Sequence, residues 1–234
     1  MSVSPFSLAG KRILVTGASS AIGAASARLC ARMGATLHLS CRDADRLADV
    51  LGMLEGSGHA AFPAEPDNTL AESLPVLDAC VFAARTDADL ALDGIAGQQL
   101  DTAFRLNVDA PLSLTRALLA AGKISENASL VYLTGTEQHW AFAGSLAAAA
   151  SQAALGAAVR ALAVEHAARG IRANCVAPGP LETAQPAGAL GPAPLGAIGA
   201  DDVAGSIVYL LAPASRWVSR TSLVVDGGLS LHVR

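Results

Sequence analysis

Short, nearly uninterrupted apolar runs recur along this chain, and each is followed by a stretch of helical composition. Residues 12–15 (RILV) form a β-branched run, residues 16–23 a small-residue turn, and residues 24–33 a helix. Gly34 stops that helix. Residues 36–40 read as a second strand, 43–54 as a second helix, and 60–63 as a weaker third strand. Residues 77–83 (LDACVFA) are almost wholly apolar, as expected of a strand buried on both faces. Residues 98–121 are helical, with a kink or break predicted at Pro111. Residues 130–133 give another strand, 145–169 a long helix ending at Gly170, and 171–176 a strand that stops at Pro178-Gly179. A final helix covers 201–211, and a last strand at 222–225 runs into Asp226-Gly227-Gly228.

This alternation predicts an α/β fold of three layers, a doubly wound and mostly parallel sheet with helices on both faces. The length of 234 residues is read as a single domain, 1–234, with the Pro/Gly/Ala-rich segment 184–200 as a loop on the substrate side rather than a linker. The chain is 52% hydrophobic but only 4% aromatic, so its core is expected to pack through small residues. With a net charge of −4 and no basic stripe, nucleic acid is not an expected partner. The low-charge stretch 141–164 is Ala-rich and carries Gln152 and Arg160, which favours a buried helix over a membrane span. Cys30, Cys41, Cys80 and Cys175 are far apart and form no C-x-x-C, so neither disulfides nor a metal site are expected. His38, His59, His166 and His232 have no companions at ligand spacing either. No charged segment followed by an apolar one opens the chain, and a cytoplasmic protein is expected.

The turn Thr16-Gly17-Ala18-Ser19-Ser20-Ala21-Ile22-Gly23 follows a strand and opens a helix. Glycines there let backbone N–H groups approach a pyrophosphate, and the helix N-terminus adds partial positive charge. Ser19 and Ser20 add hydroxyl donors. This turn resembles the T-G-x-x-x-G-x-G fingerprint of the short-chain dehydrogenase/reductase family, a Rossmann-fold family, with Ala21 at the middle glycine. The likeness continues through Leu106-Asn107-Val108, through Ile171-Arg172-Ala173-Asn174-Cys175-Val176-Ala177-Pro178-Gly179-Pro180-Leu181-Glu182-Thr183, and through Val224-Val225-Asp226-Gly227-Gly228; it spans residues 9–230.

The resemblance implies a dinucleotide held by Gly17, Ser19, Ser20, Ile22, Gly23, Arg42, Ala84, Asn107, Pro178, Gly179, Leu181 and Thr183. NAD users of the family carry an acidic residue at the end of the second strand. Here Cys41 stands at that place, followed by Arg42, which favours NADP(H) over NAD(H) because a guanidinium pairs with a 2′-phosphate. After the fourth strand the family's Asn-Asn-Ala-Gly is replaced by Phe82-Ala83-Ala84-Arg85. Arg85 would either obstruct the cofactor or add a phosphate contact.

The family's chemistry uses a Tyr-x-x-x-Lys pair one helical turn apart and a serine that orients the substrate oxygen. Aligning Ser151-Gln152-Ala153-Ala154-Leu155 puts Gln152 at the lysine, Ala148 at the tyrosine and Gly135 at the serine. Asn107 alone of the four remains. Thr136 and His139, which follow the fifth strand, are the substitute candidates. Three readings stay open. The first is an NADP(H)-binding protein with a degenerate active site, acting as a homo-oligomer (dimer or tetramer) or mixed with an active relative. The second is an NADP(H)-dependent oxidoreductase with Thr136, His139 or no proton donor. The third is a non-redox enzyme using Glu137 or His139.

Overall fold

The computed structural model describes residues 4–64, 67–86, 92–94, 97–141, 143–182 and 193–231. Seven strands form one sheet: β1 (Arg12–Thr16), β2 (Thr36–Cys41), β3 (Ala60–Pro63), β4 (Leu77–Phe82), β5 (Ile124–Leu133), β6 (Arg172–Pro178) and β7 (Ser222–Val225). Their order is β3-β2-β1-β4-β5-β6-β7 and every neighbouring pair is parallel. The fold is therefore the expected doubly wound α/β architecture. The chain winds outward from β1 to β3, then crosses back to β4 on the other side of β1. That reversal opens a crevice at the carboxyl ends of β1 and β4, where ligands of such sheets bind.

Alternation along the strands explains why both faces are covered. Ile13, Val15, Ala79, Val81, Val131 and Leu133 face one apolar layer, which they share with Ile22 and Cys30 of α1 (Ala21–Arg32), Leu47 and Val50 of α2 (Ala44–Gly52), and Val203 and Ile207 of α7 (Ala200–Leu211). Leu14, Cys80, Phe82, Leu130 and Tyr132 face the other, packed on Leu70 of α3 (Asn68–Ser73), Leu114 and Leu118 of α5 (Ala110–Ala120), and Leu155 and Val159 of α6 (Leu146–Glu165). A sheet buried on both sides needs such continuous apolar strands.

Three local features differ from the sequence expectation. Helix α3 is new; it is only six residues long and is marked chiefly by its cap, Asp67, whose carboxylate accepts from Leu70 N–H at 2.9 Å. Strand β5 begins at Ile124, not Leu130, because the pairing with β4 is irregular ahead of Ser129 and Asn127 takes φ 61°. The helix expected over 98–121 consists of α4 (Gly97–Phe104), a five-residue π turn (Arg105–Asp109) and α5. The expected interruption is present but lies just ahead of Pro111 rather than at it. Pro111 sits in the first turn of α5, directly after the widened turn in which Ala110 N–H donates to Arg105 C=O.

Helix α6 is long and apolar enough to cross a membrane, but in this fold its Leu155, Val159 and Ala163 lie against the sheet. Its outward side carries the exposed Leu146, Ala150, Ala153, Ala157, Ala161 and Val164. All four cysteines are buried and free, and burial pushes the Cys30 and Cys175 thiols up to about 12, so they are inert at neutral pH.

His38 of β2 is 8% exposed and neither ring nitrogen has a hydrogen-bond partner. Burial first, then the charges of Arg12 and His59, push its pKa below the usual histidine value. The unfolded chain therefore takes up a proton there that the folded chain refuses. Stability from this group is complete above the unfolded pKa of about 6.5 and declines as pH falls below it. Urea unfolding at pH 7.5 and pH 5.5 is expected to show a smaller acid loss for His38→Leu than for the parent chain. Equal losses in the two proteins would remove His38 from the acid sensitivity.

Candidate functional site

The crevice between β1 and β4 opens into a cavity of about 760 Å³, a volume typical of cofactor sites. Five segments line it. The glycine turn contributes Thr16, Gly17, Ser19 and Ser20. The end of β2 and start of α2 contribute Ser40, Cys41, Arg42, Asp43 and Arg46. Ala64 lies beyond β3, Ala84 and Arg85 beyond β4, and Leu106 and Ala110 come from the π turn and α5.

The turn is stitched to both neighbouring strands. Ala18 N–H donates to Ser40 C=O at 3.2 Å, and Ala83 N–H to Thr16 C=O at 3.1 Å. Gly17 has φ +64°, and a Cβ there would lie 2.5 Å from Ala84 N and 2.7 Å from Ala84 Cα. A Cβ on Gly23 would run into Gly17 C=O, so this glycine sets the close packing of α1 on its own turn. Ser20 caps α1, its Oγ accepting from Gly23 N–H at 3.0 Å, which leaves the hydroxyl proton available to a ligand. Ala21, at the place of the middle glycine, is an exposed first residue of α1 without positive φ. Fixed φ, close approach and a capped helix end together make a cradle that a phosphate fits.

Charge at the rim of β2 is arranged by α2. Asp43 caps that helix, its Oδ1 accepting from Arg46 N–H at 3.0 Å while Oδ2 pairs with Arg46 Nε at 3.4 Å. Asp43 offsets one of the two exposed guanidiniums, Arg42 and Arg46, and the rim stays net cationic. Sequence reasoning found Arg42 but missed Arg46. The available signal was its place four residues on, one turn into a helix that starts at the strand end.

A second polar group sits beyond the carboxyl end of β5. Gly135 is hemmed in by Glu137 Oε2, Gln152 Oε1 and Arg85 Nη1; a Cβ there would lie 2.6 Å from the Gln152 oxygen and 2.8 Å from the Arg85 nitrogen, and closer still to the Glu137 oxygen. Arg85 also donates from Nη1 to Thr134 C=O at 3.2 Å. Nearby, Gln138 Nε2 donates to Thr134 Oγ1 at 2.7 Å and to Ser222 Oγ at 2.9 Å. A Cβ on Gly156 of α6 would lie 2.5 Å from the Gln138 amide oxygen, so Gln138 rests directly against the helix at that glycine. None of Glu137, Gln138 and Gly156 was assigned such a role from the sequence, since partners fall in separate elements.

The other candidates fall around rather than in the cavity. Asn107 is buried in the π turn; its Nδ2 donates to Thr86 C=O and Ser151 Oγ, and its Oδ1 accepts from Thr86 N–H, which ties the segment after β4 to α6. Ile22 is a core residue. Pro178 and Gly179 are buried, Gly179 lying against Asp226 and Ile198, and Leu181 packs on the core. Thr136 is fully buried with no partner for its hydroxyl. His139 is exposed, its Nε2 3.2 Å from Ser222 Oγ. None of these lines the cavity. Thr183, His232 and most of the segment 184–200 lie outside the described residues.

Residues 17–230 match the family described as enoyl-(acyl carrier protein) reductase. The chain belongs to the short-chain dehydrogenase/reductase family. It is 31% identical to a glucose 1-dehydrogenase of Gluconobacter oxydans, over 96% of this chain and 93% of the relative. It is 30% identical to a 3-oxoacyl-[acyl-carrier-protein] reductase of Salmonella typhimurium, over 95% and 98%. A crystal structure of a dehydrogenase/reductase from Sinorhizobium meliloti superposes with a TM-score of 0.87 at 27% identity, covering 97% of this chain and 98% of that one. Members of this family typically bind NAD(H) or NADP(H), and the phosphate cradle of this short-chain dehydrogenase/reductase fits that role.

Two tyrosines and two lysines occur in the whole chain. Tyr132 is fully buried, stacked on Phe82 at 4.5 Å, with its hydroxyl 2.7 Å from Thr115 Oγ1; burial drives its pKa far up, so it is not a proton donor at neutral pH. Tyr209 packs on the core from α7. Lys11 precedes β1, and Lys123, bonded to Leu74 C=O, precedes β5. Both lysines thus stand at the amino ends of strands, opposite the cavity.

Proposed function

We propose that this chain is an NADP(H)-binding member of the short-chain dehydrogenase/reductase family whose active site is degenerate, so that it binds the cofactor without turning over a carbonyl substrate, or does so very slowly. One observation carries the reading: the serine, tyrosine and lysine places of the family correspond to Gly135, Ala148 and Gln152, and the space beside Gly135 is filled by the tips of Arg85, Glu137 and Gln152. NADP(H), when bound, supplies or accepts a hydride. Gly17, Ser19 and Ser20 would hold its pyrophosphate, and Arg42 with Arg46 its 2′-phosphate. No described residue with a phenol, imidazole or ammonium lines the cavity to move the accompanying proton. Loss of general acid catalysis costs about 10²–10⁴-fold in rate. An active enzyme using Thr136 or His139 has less support, since one is fully buried and the other is exposed and beside Ser222.

Calorimetric titration tests this. NADPH is expected to bind in the micromolar range and NADH at least tenfold more weakly. A charge-assisted contact to a phosphate contributes about 1.5–3 kcal/mol, so Arg42→Ala should weaken NADPH by about tenfold or more while leaving NADH nearly unchanged. Equal affinity for the two cofactors would remove the NADP(H) assignment. NADPH oxidation with a carbonyl substrate at the common enzymatic rate of about 10 s⁻¹ would remove the degenerate active site.

A further inference from the structure

We infer that the seat this chain keeps for a dinucleotide is its nucleoside bisphosphate half alone: adenosine carrying a 2′-phosphate and a 5′-phosphate group, with no seat for the nicotinamide. This rests on the NADP(H) reading above and narrows it.

The cavity and the closed polar group meet at one side chain. On the adenosine side lie Ser19, Ser20, Arg42 and Arg46. On the other side, where the resemblance puts the nicotinamide, no described residue of α6 or of the carboxyl ends of β5 and β6 lines the cavity. Ala148 and Gln152 are each 1% exposed and Thr136 is fully buried. The inner face of α6 is thus covered rather than open to a ring the size of nicotinamide. Gly179 lies close to Asp226 and Ile198: a Cβ on it would be 3.0 Å from Asp226 Cβ and 3.3 Å from Ile198 Cδ1.

Arg85 stands at the junction. It lines the cavity, yet its Nη1 donates to Thr134 C=O and crowds Gly135. The guanidinium is half-buried, and its Nη1 converges with Glu137 Oε2 and Gln152 Oε1 beside Gly135, between the phosphate cradle and α6. A cation at that boundary, with the Ser19 and Ser20 hydroxyls, suits the 5′-phosphate. Arg42 and Arg46 supply the separate cationic rim that a 2′-phosphate needs. Two phosphate seats about a ribose are present, and among the described residues the third part of the dinucleotide has no counterpart in the cavity lining.

A ligand fragment that makes no contact adds no affinity. In titrations of the full chain, 2′,5′-ADP and NADPH are therefore expected to give dissociation constants within about threefold, and Arg42→Ala should weaken both by the same factor. The fluorescence of bound NADPH should keep the wavelength and intensity of the free cofactor, since its reduced ring remains in water. NADPH binding more than tenfold tighter than 2′,5′-ADP, or a blue-shifted and enhanced emission on binding, would overturn the inference while leaving the NADP(H) reading intact. Failure of both ligands to bind would bring down that reading and the inference with it.

Discussion

Gly17→Ala is expected to lower stability by about 3 kcal/mol and to weaken NADPH binding at least tenfold, whereas Gly205→Ala should raise stability by about 0.5–1 kcal/mol. The substitution is the same and the signs are opposite. At Gly17 the backbone holds φ +64°, which costs an L-residue roughly 1–2 kcal/mol. The added Cβ would also meet the backbone of Ala84 at 2.5–2.7 Å. Backbone cannot rotate aside as a side-chain tip can, so an overpacking cost of about 1–3 kcal/mol adds to the strain. Relief requires the turn to withdraw from β4, which disturbs the Ala83–Thr16 and Ala18–Ser40 hydrogen bonds that shape the phosphate cradle. Gly205 lies inside α7, exposed, with nothing within 4 Å of its would-be Cβ. There alanine only removes freedom from the unfolded chain and improves helix propensity. Thermal unfolding should separate the two, at roughly 2–4 °C per kcal/mol for a chain of this size. A Gly17→Ala protein as stable as its parent would mean that the turn and β4 are not in contact.

The same contrast shows what a sequence can disclose. Apolar runs such as residues 77–83 reported their own burial, because a central parallel strand faces a helix layer on each side. The glycine turn was legible because strand, turn and helix follow one another in the chain. Arg42 was legible because it closes a strand. Features that rest on partners far apart were not. Arg85, Glu137 and Gln152 belong to three elements, and only the crossing of β4, β5 and α6 brings their tips to Gly135. Arg85 left two outcomes open in the sequence, obstruction or a phosphate contact; the structure puts it in the cavity lining. Short elements were hidden for another reason. α3 has too few residues for a helical period, and the first half of β5 (Ser125, Glu126, Asn127) is polar where it diverges from β4.

Restoring the family's residues by Gly135→Ser, Ala148→Tyr and Gln152→Lys is expected to destabilise the protein by several kcal/mol, lowering its melting temperature by roughly 10 °C, and to give no carbonyl reduction above background. The three places are no longer empty. Ala148 is 1% exposed, so a phenol there has to displace packed neighbours, at about 1–3 kcal/mol or more. A lysine at 152 would bring its ammonium beside Arg85, and a serine at 135 would meet the tips of Arg85 and Glu137. Those tips are ends of flexible chains, so their share of the cost should be recoverable. Adding Arg85→Asn and Glu137→Ala to the triple variant is expected to return at least 1 kcal/mol, an interaction of the size found between residues in contact. The same five changes should raise turnover by a factor within the 10²–10⁴ range of general acid catalysis. Unfolding curves for the triple and quintuple variants, with NADPH oxidation followed in both, measure the coupling directly. Additive stabilities, or turnover already present in the triple variant, would show that Arg85 and Glu137 do not close the site, and that the loss of chemistry lies in the three replaced residues alone.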